Sequence, residues 1–149
     1  MKQIEKISAG ASYTAVSVGR LNELEQHVLT LTPEIQIPGK VFLGQALAAT
    51  GAEISFQSFP VGGQTGFHHI HKNHEELYIC VSGKGEFQID GQTFGFDEGS
   101  VVRIAPEARR TIRNTGDVPL VVICVQYKGQ SFTVEDATDG IILNDPVAW

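Results

Sequence analysis

The stretch Gly63-QTGFH-His69-Ile70-His71-KNHE-Glu76-LYICVS-Gly83 sets two histidines one residue apart, a carboxylate five residues after the second, and a glycine at each end. In a β-strand the side chains at i and i+2 share a face, so His69 and His71 are expected to project together. Lys72, Asn73 and His74 are polar and turn-compatible, which suits a change of direction before the next strand. Glu76, at the start of that strand, can then face the two imidazoles. Two histidines and one carboxylate with open positions beside them form the donor set of a divalent metal centre. The same alternation turns His68 to the opposite side and leaves His74 in the turn, so both are expected at the surface or in a supporting role.

Outward from this stretch, the chain from about Val41 onward reads as short strands separated by Gly, Pro, Asn or Asp, roughly every 8 to 12 residues. VFLGQALA, AEISFQSF, GFHHIH, ELYICV, GEFQI, QTFGF, SVVRIA, RTIRN and PLVVICVQY are the candidates. The pattern is that of an all-β sandwich or barrel. The clearest local unit is a hairpin on Asp90-Gly91, a two-residue turn that sets Phe87 opposite Phe94 with Ile89 on the same face. Residues 1–38 differ. LNELEQHVL suits a short helix, SYTAVSV suits a strand, and Pro33 and Pro38 interrupt the segment. We read 1–38 as an arm and lid, and 39–149 as a single β-barrel domain.

The spacing Gly-x5-His-x-His-x4-Glu-x6-Gly resembles the first motif of the cupin superfamily. Gly99-SVVRI-Ala105-Pro106-Glu107-Ala108-Arg109-Arg110-TIR-Asn114 resembles the frame of the second, with Gly99, Pro106 and Asn114 in register. KVFLG, GKGEFQIDGQ and EGSVVRIAPE are similar to segments of small stand-alone cupins. The resemblance implies a double-stranded β-helix, or jelly roll, whose histidines face the barrel interior. It carries His69, His71 and Glu76 over as metal ligands, with Glu75 turned to solvent. The fold hosts isomerases, epimerases, oxygenases, decarboxylases, binding modules and storage proteins, so it implies no single activity.

One position departs from the pattern. Where most metal-binding cupins place their last histidine ligand, this chain has Arg110, and Glu107 replaces the glycine expected before it. A guanidinium stays protonated and offers no lone pair to a metal. Arg110 is therefore expected to pair with Glu76, to clamp an anionic substrate beside the metal, or to point to solvent. Tyr78 and Gln126 are expected to line the cavity by alternation. The cofactor expected is a divalent transition metal (Zn, Ni, Fe or Mn), among which ligand softness does not choose.

With 149 residues, 42% of them apolar and 19% charged, the chain is one globular domain able to bury a core. A formal charge of −6 argues against nucleic acid or an anionic membrane as the main partner. No window approaches the ~18 unbroken apolar residues of a span, and MKQIEKISAG lacks the apolar region of a signal peptide, so a cytoplasmic location is expected. Cys80 and Cys124 lie in apolar runs and are expected buried and reduced. A homodimer is expected, because open sheet edges need cover.

Three functions follow as expectations. The first is a metal-dependent enzyme, of oxygenase or isomerase type, acting on a small anionic metabolite. The second is a metal-free sugar or sugar-phosphate isomerase or epimerase with His69 or His71 as general base. The third is a small-molecule binding module without turnover.

Overall fold

The computed structural model describes all 149 residues. In chain order, β1 (Glu5–Ala9) and β2 (Thr14–Ser17) are followed by a 3-10 helix, Leu21–Gln26, and by β3 (Val28–Thr32) and β4 (Ile35–Pro38). Next come β5 (Lys40–Phe42), a single helical turn (Gly44–Leu47), β6 (Ala52–Phe59) and β7 (Glu75–Ser82). β8 (Lys84–Ile89), β9 (Gln92–Asp97), β10 (Val101–Ile104), β11 (Arg110–Asn114) and β12 (Leu120–Tyr127) complete the strands. A five-stranded antiparallel sheet, ordered β10-β7-β12-β6-β5, faces a three-stranded one, β11-β8-β9. Together they form an all-β jelly roll. No helix is long and apolar enough to cross a membrane.

β12 shows how sequence becomes packing. Its run LVVICVQY is apolar on both faces, and both faces are buried. Leu120, Val122 and Cys124 join the core between the sheets, with Phe59, Tyr78, Cys80, Phe87, Phe96, Ile104 and Ile112. Val121 turns the other way into a second core with Val18, Leu24, Val41 and Leu43. The first 38 residues supply part of that outer layer through Val18 and Leu24. They form two hairpins, β1-β2 and β3-β4, outside the barrel sheets.

The hairpin at Asp90-Gly91 adopts the turn its sequence demands. Both central residues have positive φ, 49° and 83°, as a type I′ turn requires, and Phe87 pairs with Phe94. Gly83, at φ +91°, could not carry a side chain, because a Cβ there would lie 2.6 Å from the Pro119 carbonyl oxygen. Asn114, almost fully buried, ties three segments together. Its amide donates to the carbonyls of Phe59, Pro60 and Val118 and its oxygen accepts from the Gly116 N–H.

The strand expected over GFHHIH is not a continuous strand. The segment runs antiparallel along β11 and bonds to it at Gly63, Thr65 and His69. Between Thr65 and His69, however, the segment advances four residues while β11 advances two. The surplus forms a bulge that begins at Gly66, at φ +80°. Beyond Tyr127 the chain leaves the sheets and holds only a 3-10 turn, Asp136–Thr138, with Ile141, Ile142 and Leu143 exposed.

Candidate metal centre

Three elements bring the site together. The His69 backbone forms a reciprocal bridge with Arg110, and the His71 N–H bonds the Pro106 carbonyl. Both histidines are thus fixed against the second motif. Glu76 follows the turn on β7 and is 2% exposed. One donor atom from each of His69, His71 and Glu76 lies within 4.8 Å of the others. His68 sits in the bulge, exposed, bonded through Nε2 to Gln88 Oε1 at 2.8 Å. Glu75 turns outward to Arg103, whose Nε donates to it at 2.9 Å.

Arg110 is also in the site. It is 1% exposed, and its Nε and Nη2 donate to Glu76 Oε2 at 3.0 and 2.8 Å. Its Nη1 donates to the carbonyls of Pro106 and Ala108. Such a charge-assisted pair, with two donors on one carboxylate oxygen, is among the stronger polar contacts a protein makes. The other oxygen, Oε1, takes His71 Nε2 and Gln126 Nε2, each at 3.0 Å, with the Cys124 thiol at 3.6 Å. Tyr78 is buried on the same side of β7, its ring edge-on to Phe87 at 5.1 Å. Both cysteines are free and buried.

The histidines form a stack. His69 and His71 rings lie 5.3 Å apart at 77°, and His71 and His74 rings 3.8 Å apart at 35°. His69 Nδ1 and His74 Nε2 are buried without a hydrogen-bond partner. A cavity of about 580 Å³ opens beside them, walled by Gln45, Thr50, Glu53, His74, Gln126 and Lys128 among others. Because His74 stacks on His71 and Gln126 bonds Glu76, this cavity abuts the cluster.

The electrostatics favour the neutral form of His69 and of His74 and the charged form of Glu76. Burial, aided by the Arg110 charge, brings His69 down to about 4. Burial also lowers His74. Burial alone would raise Glu76, but the hydrogen bonds from Gln126 and Arg110 outweigh it and bring the carboxyl down to about 2. Burial, then the Glu76 charge, pushes the Cys124 thiol up to about 12, so it is no thiolate nucleophile. In the metal-free protein, stability should therefore fall in two steps on acidification. From 6.5 to about 4 the unfolded chain protonates His69 while the folded one resists. From 4.5 to about 2 the same holds for Glu76. In both windows the unfolded state binds more protons, so stability drops as pH falls. Urea midpoints measured across this range should show the upper step shrink in His69→Gln.

Do these residues fit a metal? His71 Nε2 and Glu76 Oε1 stand 3.0 Å apart, the separation of two adjacent ligands each ~2.1 Å from one ion. His69 Nδ1 makes no hydrogen bond that ligation would have to break. The neutral His69 and the ionised Glu76 are in the protonation states that ligation needs. The donor set fits, with Arg110 as a neighbour and not a ligand.

The sequence reading missed two polar residues of the interior. Lys40, on β5, alternates with Val41, which lies in the outer core, and so faces inward with Phe42; its Nζ lies 5.2 Å from the Phe42 ring centroid. Ser55, on β6, is 1% exposed and its Oγ has no partner. The alternation Lys-Val-Phe was the available signal for Lys40. Ser55 had none.

The cupin domain family model matches residues 55–126. A cupin protein of Bacteroides fragilis, known from its crystal structure, is 36% identical, covers 77% of this chain and 94% of its own, and superposes with a TM-score of 0.66. A structure from Thermotoga maritima, described as a "predicted oxalate decarboxylase", shares the fold at 20% identity, with 68% and 90% of the two chains covered and a TM-score of 0.56. An uncharacterized protein of Methanocaldococcus jannaschii is 35% identical over 68 residues, 46% of this chain; the match spans 54%, about half, of that protein's length. The two motifs, the jelly roll and the extended match to the Bacteroides protein agree, and the chain belongs to the cupin superfamily.

Proposed function

We propose that this cupin binds a divalent transition metal through His69, His71 and Glu76, and with it a small anionic metabolite in the barrel. The observation that supports the reading most is the convergence of one donor atom each from His69, His71 and Glu76 within 4.8 Å of one another. Charge supplies the second half. Arg110 already neutralises Glu76, so a dication on this set leaves two positive charges in a poorly hydrated interior. An anionic ligand offsets them, and metal and anion should each tighten the binding of the other, because coupling is reciprocal. A bound metal would act as a Lewis acid or lower the pKa of a bound water. The chain's own residues have separate tasks. Gln126 and Arg110 hold the carboxylate, and His74 backs His71 at the cavity wall. Elemental analysis of protein purified without an affinity tag should find about one equivalent of a transition metal; none, after metals have been supplied, would exclude this reading.

A metal-free reading has its own support, the two-donor hold of Arg110 on Glu76 Oε2. In that case His69, neutral down to about pH 4, is a general base for isomerase or epimerase chemistry, or the barrel binds its ligand without turnover. As to assembly, we place two copies together through the N-terminal hairpins, where Ile7 and Tyr13 are exposed on an uncovered two-stranded ribbon. Light scattering at micromolar concentration should report a dimer; a monomer would refute this.

A further inference from the structure

We propose that Lys40 and Ser55 form a carboxylate-binding subsite on the inner wall of the barrel, one that holds the anionic group of the ligand away from the histidine cluster. The proposal rests on the anion-binding half of the function given above.

Strand register puts these residues on one surface. Residues directly opposite in an antiparallel pair share a face, so the pairings across β7, β12, β6 and β5 define inward rows. One row is Glu76, Gln126 and Glu53; the next is Tyr78, Cys124, Ser55 and Phe42; the third is Cys80, Val122, Gln57 and Lys40. Their inward direction is set by Tyr78, Cys80, Val122 and Cys124 in the inner core, and by Val41 in the outer one. Lys40 and Ser55 are diagonal neighbours on that wall, close enough for a long side chain to meet a short one.

Ser55 lacks the partner that burial ordinarily demands, and Lys40 has no carboxylate paired with it. Ser55 Oγ is fully enclosed and makes no hydrogen bond, which is unfavourable for a hydroxyl. Lys40 takes part in none of the five ion pairs of the chain. It is partly buried, with the Phe42 ring beside its ammonium. The nearby carboxylates are engaged elsewhere. Glu76 is held by Arg110, and Glu53 Oε1 accepts three backbone N–H groups, from Leu43, Gly44 and Ile54. Burial lowers the ammonium's pKa, and the Glu76 carboxylate opposes the shift. His69 feels the Lys40 charge in turn.

The inner wall thus carries two cations, the buried Arg110 and the partly buried Lys40, against one fully buried carboxylate, with a hydroxyl at the position diagonal to the second cation. One ammonium and one hydroxyl suit the two oxygens of a carboxylate. A phosphate dianion would call for further donors, and no helix N-terminus or glycine nest supplies them here.

Calorimetric titration of wild type, Lys40→Met and Ser55→Ala with malonate and with inorganic phosphate tests this, alongside metal analysis of each protein. Wild type should bind malonate, and Lys40→Met should lose about tenfold or more in affinity. Ser55→Ala should lose severalfold, and metal content should be the same in all three. Equal malonate affinity in wild type and both variants would overturn the proposal, as would a wild type that binds phosphate but not malonate, or neither. Lys40-dependent malonate binding in a protein that takes no metal would support this subsite and refute the metal reading. Metal binding with malonate affinity indifferent to Lys40 and Ser55 would do the reverse.

Discussion

Replacing Arg110 by methionine is expected to lower the unfolding free energy by about 3–5 kcal/mol, the usual penalty for leaving a buried charge without its partner. Glu76 is 2% exposed and Arg110 1%, and two of the guanidinium nitrogens reach the same carboxylate oxygen. Methionine fills the volume but leaves the carboxylate with only His71, Gln126 and the Cys124 thiol. Much of the loss should return in the Arg110→Met/Glu76→Gln double variant, because the penalty belongs to the unpaired charge and not to the pair itself. Denaturant unfolding of the four proteins checks this; additive single and double effects would show that the two side chains do not act as a pair. Arg110→His asks a related question of function. An imidazole at that position adds a neutral donor where a cation stood, so metal affinity should rise by about tenfold or more, by one further ligand and one fewer repulsive charge.

The second large effect concerns the histidines. His69→Ala or His71→Ala should abolish metal retention, a greater loss than the about 10–100-fold that follows removal of a supporting group. His68→Ala should leave retention intact, because His68 sits in the bulge and bonds Gln88 at the surface. His74→Ala should weaken it only slightly, through the lost stack on His71. Metal stoichiometry after dialysis distinguishes the four variants, and equal losses in all would remove the structural distinction between them.

The parts of this fold that were legible in the sequence are those governed by local rules. The Asp90-Gly91 turn needs two positive φ angles and has them, and so Phe87 meets Phe94. His69, His71 and Glu76 converge because their spacing is set by one extended segment, one turn and one strand start. The bulge at Gly66–His68 was not legible, since a surplus of two residues shows only against the partner strand β11. Nor could the sequence choose between roles for Arg110; that depended on the depth of Glu76, which the paired neighbours Ile104 and Gln126 determine. Lys40 was missed for a different reason. A lysine beside two apolar residues on a three-residue strand reads as an edge charge, and only the outer core around Val41 shows that it faces inward.

The most direct test of the account is a calorimetric titration of the metal-free protein with Mn, Ni and Zn, each repeated in the presence of malonate. The account predicts a single site that tightens when malonate is present and disappears in His71→Ala. Absence of binding for every metal, or a site that survives His71→Ala, would contradict it.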